Sequence, residues 1–308
     1  MTKSTTLDQE PWNRQFLFVT GKGGVGKTTL CAALATHLAS QGKRVLVALC
    51  GRQTPLVNLF DTDLPDGRMR CIAPNIDAVC MRPHYAIEEY GRMILKVKVL
   101  YRALFENPKV MAFLRGTPGL EAWSLLGKAY YHADQDTDDK GNARYDTVIF
   151  DAPATGHAID MLKVPQVICD LAPAGLLRRE AEGALTMLRD PARSGALLVT
   201  LAEDLPTQEC LELYQVFNEE LHIPIGAVML NRFDDAPLDP NLKQQLESPP
   251  ENLSPWQPAF EWKRHQQQTR LHNLNRLRQN IEAPLLCINE QRPVTLETLR
   301  GALEASVI

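Results

Sequence analysis

The chain has 308 residues, enough for one large α/β domain or two modest ones. It is 44% hydrophobic and 23% charged with a net charge of −4, which is ordinary globular usage and argues against a surface built throughout for nucleic acid or anionic lipid. Seven scattered cysteines with no C-x-x-C pair read as reduced thiols of a cytoplasmic protein, and no apolar run approaches the roughly 18 residues of a membrane span.

In chain order, residues 1–13 are polar, lack a basic stretch followed by an apolar run, and are expected to be a flexible N-terminus without a secretory signal. A single domain is expected over 14–303. Strand-like runs occur at 16–20, 44–49, 76–81, 147–151, 196–201, 225–231 and 284–288. Each is rich in Val, Ile, Leu or Phe with little alternation, as in strands buried on both faces of a parallel sheet. Helical patterns intervene, as at 28–40, 206–221 and 262–281. The fold class predicted is therefore α/β, with a doubly wound, mostly parallel sheet.

Three stretches break this rhythm. Residues 85–131 read as a helical subdomain inserted in the domain. Ile87, Tyr90, Ile94, Val97, Tyr101 and Leu104 recur there at helical spacing, and Met93, Leu95, Val99 and Leu100 lie on other faces. Such a helix is normally buried, and the alternative is a hydrophobic groove for a protein client. The acidic stretch 134–142 and the proline-rich stretch 249–258 read as surface loops. Further on, Lys263, Arg264, Arg270, Arg276 and Arg278 share a helix with an apolar stripe of Leu271, Leu274, Leu277 and Ile281. No aromatic residues interleave the basic ones to stack on bases, so a solvated or interface face is expected and no nucleic-acid partner.

The strongest motif is Gly21-Lys22-Gly23-Gly24-Val25-Gly26-Lys27-Thr28-Thr29, which fits G-x-x-x-x-G-K-[ST] between a strand and a helix. Glycines let the backbone curl with its N–H groups pointing inward, and the helix N-terminus adds its positive dipole end. Lys27 is expected to reach the β- and γ-phosphates of ATP, Thr28 to ligate Mg²⁺, and Thr29 to donate to the α-phosphate. Asp151 ends the run 147–151, at the carboxyl end of a strand where ligands bind in this fold, and is the candidate second partner of Mg²⁺, through water.

The loop, with its additional Lys22, resembles the deviant Walker A class of P-loop NTPases. The segment Asp151-Ala-Pro-Ala-Thr-Gly-His157 is similar to the D-T-A-P-T-G-H switch of the ArsA and tail-anchored-protein targeting ATPases. The resemblance covers roughly residues 14–300 and implies an ATP-binding and ATP-hydrolysing dimeric switch. In such a switch Lys22 reaches across the dimer to the partner's nucleotide. Gly156 serves as a hinge, and Asn231, at the end of Val228-Met229-Leu230-Asn231, reads adenine. It also implies a homodimer, or a heterodimer with an ArsA-like paralogue, and a hydrophobic protein client. Lys22, Lys27 and Asp151 are then the catalytic candidates.

The sequence departs from that family where its members carry a water-positioning Asp after the second strand. Here the stretch is Cys50-Gly51-Arg52-Gln53, and no carboxylate lies between Val45 and Phe60. Asp61 and Asp63 are offset, so Arg52 or Gln53 is left to contact phosphate or order a water. Slow hydrolysis, or dependence on a partner subunit, is therefore expected. With no C-x-x-C pair and no cluster of thiols, neither a zinc clamp between subunits nor an arsenite site is expected. The alternatives are a hydrolytically weak regulatory subunit of an active paralogue and a ParA- or MinD-like positioning ATPase.

Overall fold

The computed structural model describes residues 10–50, 54–83, 85–86, 89, 119–172, 174–233 and 257–306. All seven expected strands form, with ends within two residues of the expected limits: β1 (Phe16–Thr20), β2 (Val45–Leu49), β4 (Ile76–Cys80), β5 (Thr147–Asp151), β6 (Ser194–Thr200), β7 (Ile225–Phe233) and β8 (Leu285–Asn289). An eighth, β3 (Met69–Ala73), has no counterpart in the apolar pattern. Its first three residues are exposed, and it forms because the short turn before β4 folds it back as an antiparallel edge. The sheet order is β3-β4-β2-β5-β1-β6-β7-β8, and every other pairing is parallel.

Burial on both faces explains why these strands do not alternate apolar with polar residues. Phe16 and Phe18 of β1 point to one side, where Phe18 stacks on Phe150 of β5 with ring centroids 5.3 Å apart. That side is covered by α3 (Leu120–Asp134), α4 (Thr155–Leu171), α5 (Leu176–Arg189), α6 (Asp204–Gln215) and α7 (Gln257–Asn280). Leu17 and Val19 point to the other side, covered by α1 (Lys27–Ser40), α2 (Thr54–Phe60) and α8 (Leu296–Ala305). This is a doubly wound α/β layer structure.

Several helices differ in extent from the sequence pattern. The pattern over 206–221 begins at Asp204 and widens into a π-helical turn, Val216–Leu221, that closes on His222 in the left-handed region. Helix α7 starts at Gln257, with Pro258 in its first turn, where a missing N–H leaves no intrahelical bond unmade. Of the predicted insert 85–131, residues 87–88 and 90–118 lie outside the described residues, and with them Ile87, Tyr90, Ile94, Val97, Tyr101 and Leu104. Its last part belongs to α3, which packs Trp123, Leu126 and Ala129 into the sheet's own core. In the acidic stretch, the Asp138 carboxylate accepts the backbone N–H groups of Lys140 and Asn142 at 2.9 Å each, a local turn that needs no tertiary support.

The N-terminal stretch is tied down from Glu10 onward. Trp12 is fully buried, and its indole donates to Glu10. The His37 ring of α1 lies between Glu10, at 3.0 Å, and Glu304 of α8, at 3.2 Å, so both ends of the described chain meet on the helix that follows the glycine loop. Helix α8 opens with a capping box, in which Thr295 accepts from the Thr298 N–H at 3.2 Å and Thr298 accepts from the Thr295 N–H at 3.0 Å. Thr295→Ala is expected to cost about 1 kcal/mol. For a chain this long that lowers the melting temperature by about 2 °C in a thermal unfolding scan.

Candidate active site

Strands β1, β2, β5, β6 and β7 run in parallel, so their C-terminal ends share one edge of the sheet. The glycine loop 21–26 crosses this edge between β1 and α1. Two of its glycines are forced by close approach as well as by positive φ. At Gly21 (φ 146°) a Cβ would strike the Val199 carbonyl of β6, and at Gly26 (φ 97°) it would strike the Asn231 amide of β7. The loop is thus pressed onto β6 at its start and onto β7 at its end. Gly26 caps α1 with no side-chain hydrogen bond, which leaves the first-turn N–H groups of that helix directed at the loop.

Lys27 folds across the loop and donates to the carbonyls of Gly21 at 2.9 Å and Lys22 at 3.1 Å. Thr28 donates to Asp151 Oδ2 at 2.6 Å. Asp151 is almost fully buried, and among the described residues its other oxygen, Oδ1, has no hydrogen-bond partner. Burial pushes the Asp151 carboxyl up to about 6, against the opposing pull of the Thr28 hydroxyl, the Lys27 ammonium and the Cys31 thiol. Burial also pushes Lys27 down, against the attraction of Asp151. The two charges attract one another, yet for each the loss of water outweighs that attraction. Burial holds the Cys31 thiol well above its ordinary range, so it is a neutral wall of the site.

The arrangement is a cradle of N–H donors and one ammonium beside a carboxylate oxygen that lacks a partner. It is chemically complementary to a polyphosphate carrying a divalent cation: donors for the anion, Oδ1 and the Thr28 hydroxyl for the cation or its water. Among the described residues no group of three or more His, Cys, Asp or Glu side chains is placed to hold a metal by itself. A cation here would need oxygens from a bound phosphate as well.

The other predicted residues fall around this cradle in different ways. Gly23 and Gly24 form the open tip of the loop, and Val25 is buried beneath it. Thr29 is half-buried in the first turn of α1. Asn231 is buried, donating through Nδ2 to the Val25 carbonyl at 2.8 Å and accepting the Arg232 N–H at 3.0 Å. It therefore props the loop from beneath with one amide hydrogen, while its oxygen is taken by the next N–H of its own strand. The Lys22 ammonium pairs with Glu209 of α6. Thr155, the first residue of α4, donates to the second oxygen of Glu209 at 3.3 Å. Glu209 has no signature in the sequence, being one acid among several on an amphipathic helix, and only the packing of α6 on β6, the strand beside β1, brings it to the loop.

In the second-strand segment, the Cys50 N–H donates to the Asp151 carbonyl at 3.1 Å, while Gly51, Arg52 and Gln53 lie outside the described residues. Asp63 pairs with Arg70 of β3 at 3.6 Å, and Asp61 takes the left-handed turn that ends α2. Gly156 has open space around its Cα, and His157 is exposed. No described helix is long and apolar enough to cross a membrane.

The anion-transporting ATPase (ArsA ATPase) family matches residues 14–172, which include the glycine loop, Asp151 and Thr155. ATPase BagA of Mycobacterium tuberculosis is 33% identical over 227 residues, covering 72% of this chain and 66% of that protein. Arsenical pump-driving ATPases from Acidiphilium multivorum and Escherichia coli are 29% and 27% identical, over 66% and 70% of this chain. The chain spans just under two thirds of the mycobacterial relative and only 37% and 39% of the two pump-driving ones. With its glycine loop, its strand-terminal Asp151 and the family match over half its length, the chain belongs to the anion-transporting ATPase family.

Proposed function

We propose that the chain is an ATP-binding and ATP-hydrolysing switch that works as a dimer and couples its nucleotide state to a partner or client protein. The observation that carries this is the unmet pair of charges at the loop. Lys27 and Asp151 each lose more to burial than they recover from one another, and among the described residues Asp151 Oδ1 has no hydrogen-bond partner. A phosphate on Lys27 and a cation on Asp151 relieve both at once.

In this reading the backbone of Gly21, Gly23, Gly24, Val25 and Gly26, with Lys27 and Thr29, binds the phosphates. Thr28 and Asp151 hold Mg²⁺, the latter through water. When bound, Mg²⁺ neutralises charge on the triphosphate. Asn231 contributes to base binding with the amide hydrogen that the Val25 carbonyl leaves free. Lys22 contacts the partner's nucleotide. The names of the relatives, an ATPase and pump-driving ATPases, accord with hydrolysis of ATP. A second reading, a weakly hydrolysing subunit that regulates an active paralogue, is favoured by one feature: the absence of any carboxylate between Val45 and Phe60.

The test is sedimentation of the purified chain without nucleotide, with Mg-ADP and with a non-hydrolysable Mg-ATP analogue, beside steady-state ATP turnover. The expected result is a shift to dimer with the ATP analogue that Lys22→Ala abolishes while nucleotide still binds. Pairing by Lys22→Ala equal to that of the unmodified chain would remove the cross-dimer role of Lys22. Tight binding without turnover would select the regulatory reading.

A further inference from the structure

We propose that Glu209 is a positioning residue that holds Lys22 within its own chain and competes with nucleotide phosphate for it; this rests on the nucleotide-switch reading above. One carboxylate makes two contacts with two different segments of the site. Its Oε1 pairs with the Lys22 ammonium in the glycine loop, and its Oε2 accepts from Thr155, four residues beyond Asp151 at the start of α4. The two side chains of the ion pair keep only 28% and 29% exposure, so the pair is shielded from most competing water and salt.

The geometry around Glu209 is fixed from both sides. Gly21 lies against Val199 of β6, and α6 follows β6 after a short turn, which sets the spacing between the loop and the first turns of α6. The N-terminal part of α6 is anchored in turn by α7, where Asn273 donates to Asp204 at 2.8 Å and Arg276 donates to Gln208. Glu209 therefore sits on a braced helix, while both of its partners sit on segments that border the phosphate cradle.

The consequence is competitive. An ammonium paired with a carboxylate is a poorer ligand for phosphate than a free one, because its Coulomb attraction is already partly satisfied. Any arrangement that puts Lys22 on a phosphate must first take it from Glu209, and that release leaves Thr155 as the carboxylate's remaining contact. Glu209 thus opposes the nucleotide-bound arrangement and links the position of the loop to that of the segment following Asp151.

The experiment is a double-mutant cycle on the affinity for a fluorescent, non-hydrolysable ATP analogue with Mg²⁺, at one protein concentration throughout. Glu209→Gln is expected to tighten binding about three- to fivefold, the upper part of the range for a partly exposed ion pair. In a Lys22→Ala background the same substitution is expected to change affinity less than about twofold. Glu209→Asp keeps the charge but shortens its reach, and is expected to behave like Glu209→Gln. An equal effect of Glu209→Gln with and without Lys22 overturns the proposal, since it would reflect only the field of the carboxylate. So does a Glu209→Asp variant indistinguishable from the unmodified chain, or no effect of Glu209→Gln where Lys27→Ala abolishes binding. Binding that does not depend on Lys27 overturns the nucleotide reading as well, so the two failures are told apart by that one control.

Discussion

Lys27→Ala is expected to weaken Mg-ATP binding by about 10²-fold or more and to abolish turnover, with little change in folding. The first half follows from the position of the ammonium. It spans the loop between the Gly21 and Lys22 carbonyls and lies largely out of water, so a phosphate held there would lose a close cationic partner. Removing one member of a shielded, hydrogen-bonded charge pair typically costs about 2–5 kcal/mol. The second half follows from what Lys27 does in the chain by itself. Its two hydrogen bonds are to loop carbonyls, and burial already disfavours its charged form. Losing the lysine therefore removes a penalty along with the bonds, and the melting temperature should move by no more than a few degrees. Equilibrium titration with a fluorescent ATP analogue, beside thermal unfolding, checks both. A variant that binds nucleotide like the unmodified chain would remove the glycine loop as the phosphate site.

Asp151→Asn is expected to have opposite effects on stability and on function. Burial raises the carboxyl from 3.8 to about 6, so the folded chain binds this proton more tightly than the unfolded chain does. For a raised carboxylate, the favourable contribution is full below the unfolded value and is lost as pH rises through the folded one. Near neutral pH the fold therefore carries the whole penalty of a buried charge. Each tenfold change in proton affinity corresponds to about 1.4 kcal/mol. Replacing the carboxylate by a neutral amide, which can still accept from Thr28, should then stabilise the chain by on the order of 1–3 kcal/mol at pH 7. The gain should fade between about pH 6 and pH 4, and unfolding scans of the two proteins across that range should converge at the acid end. The amide is a poor partner for a cation, so Mg²⁺-dependent nucleotide binding and turnover should fall by about 10- to 100-fold. Because cation binding needs the carboxylate ionised, the Mg²⁺ affinity of the unmodified chain should itself decline as pH falls through about 6. A variant that is less stable at every pH would show that the carboxylate is a structural anchor and not a strained ligand.

Much of the site was legible before any coordinates. The spacing of glycines, Lys27 and Thr28 specifies a local structure, because the strand-to-helix turn and its inward N–H groups need only consecutive residues with the right freedom of φ. Asp151 was legible as the end of an unbroken apolar run, and the structure joins it to Thr28 by a single hydrogen bond. The runs themselves specified a parallel sheet, since a strand with no polar alternation must be covered on both faces.

Three features were not legible, and two of them depend on contacts distant in sequence. Strand β3 carries no apolar pattern, because an exposed antiparallel edge needs only a neighbour's backbone. Asn231 pointed, by resemblance, to adenine; the structure adds a bond to the Val25 carbonyl, 206 residues away, which no local pattern encodes. The pairing of Lys22 with Glu209 joins positions 187 apart on elements that meet only because β6 lies beside β1. The sequence by itself therefore determined the glycine loop's local geometry and the layering of the sheet, which follow from short-range steric rules and from the period of burial. Only the tertiary structure decided which side chains prop, oppose or complete that loop. Those contacts depend on strand order, and strand order is settled by the packing of the whole sheet rather than by any segment of it.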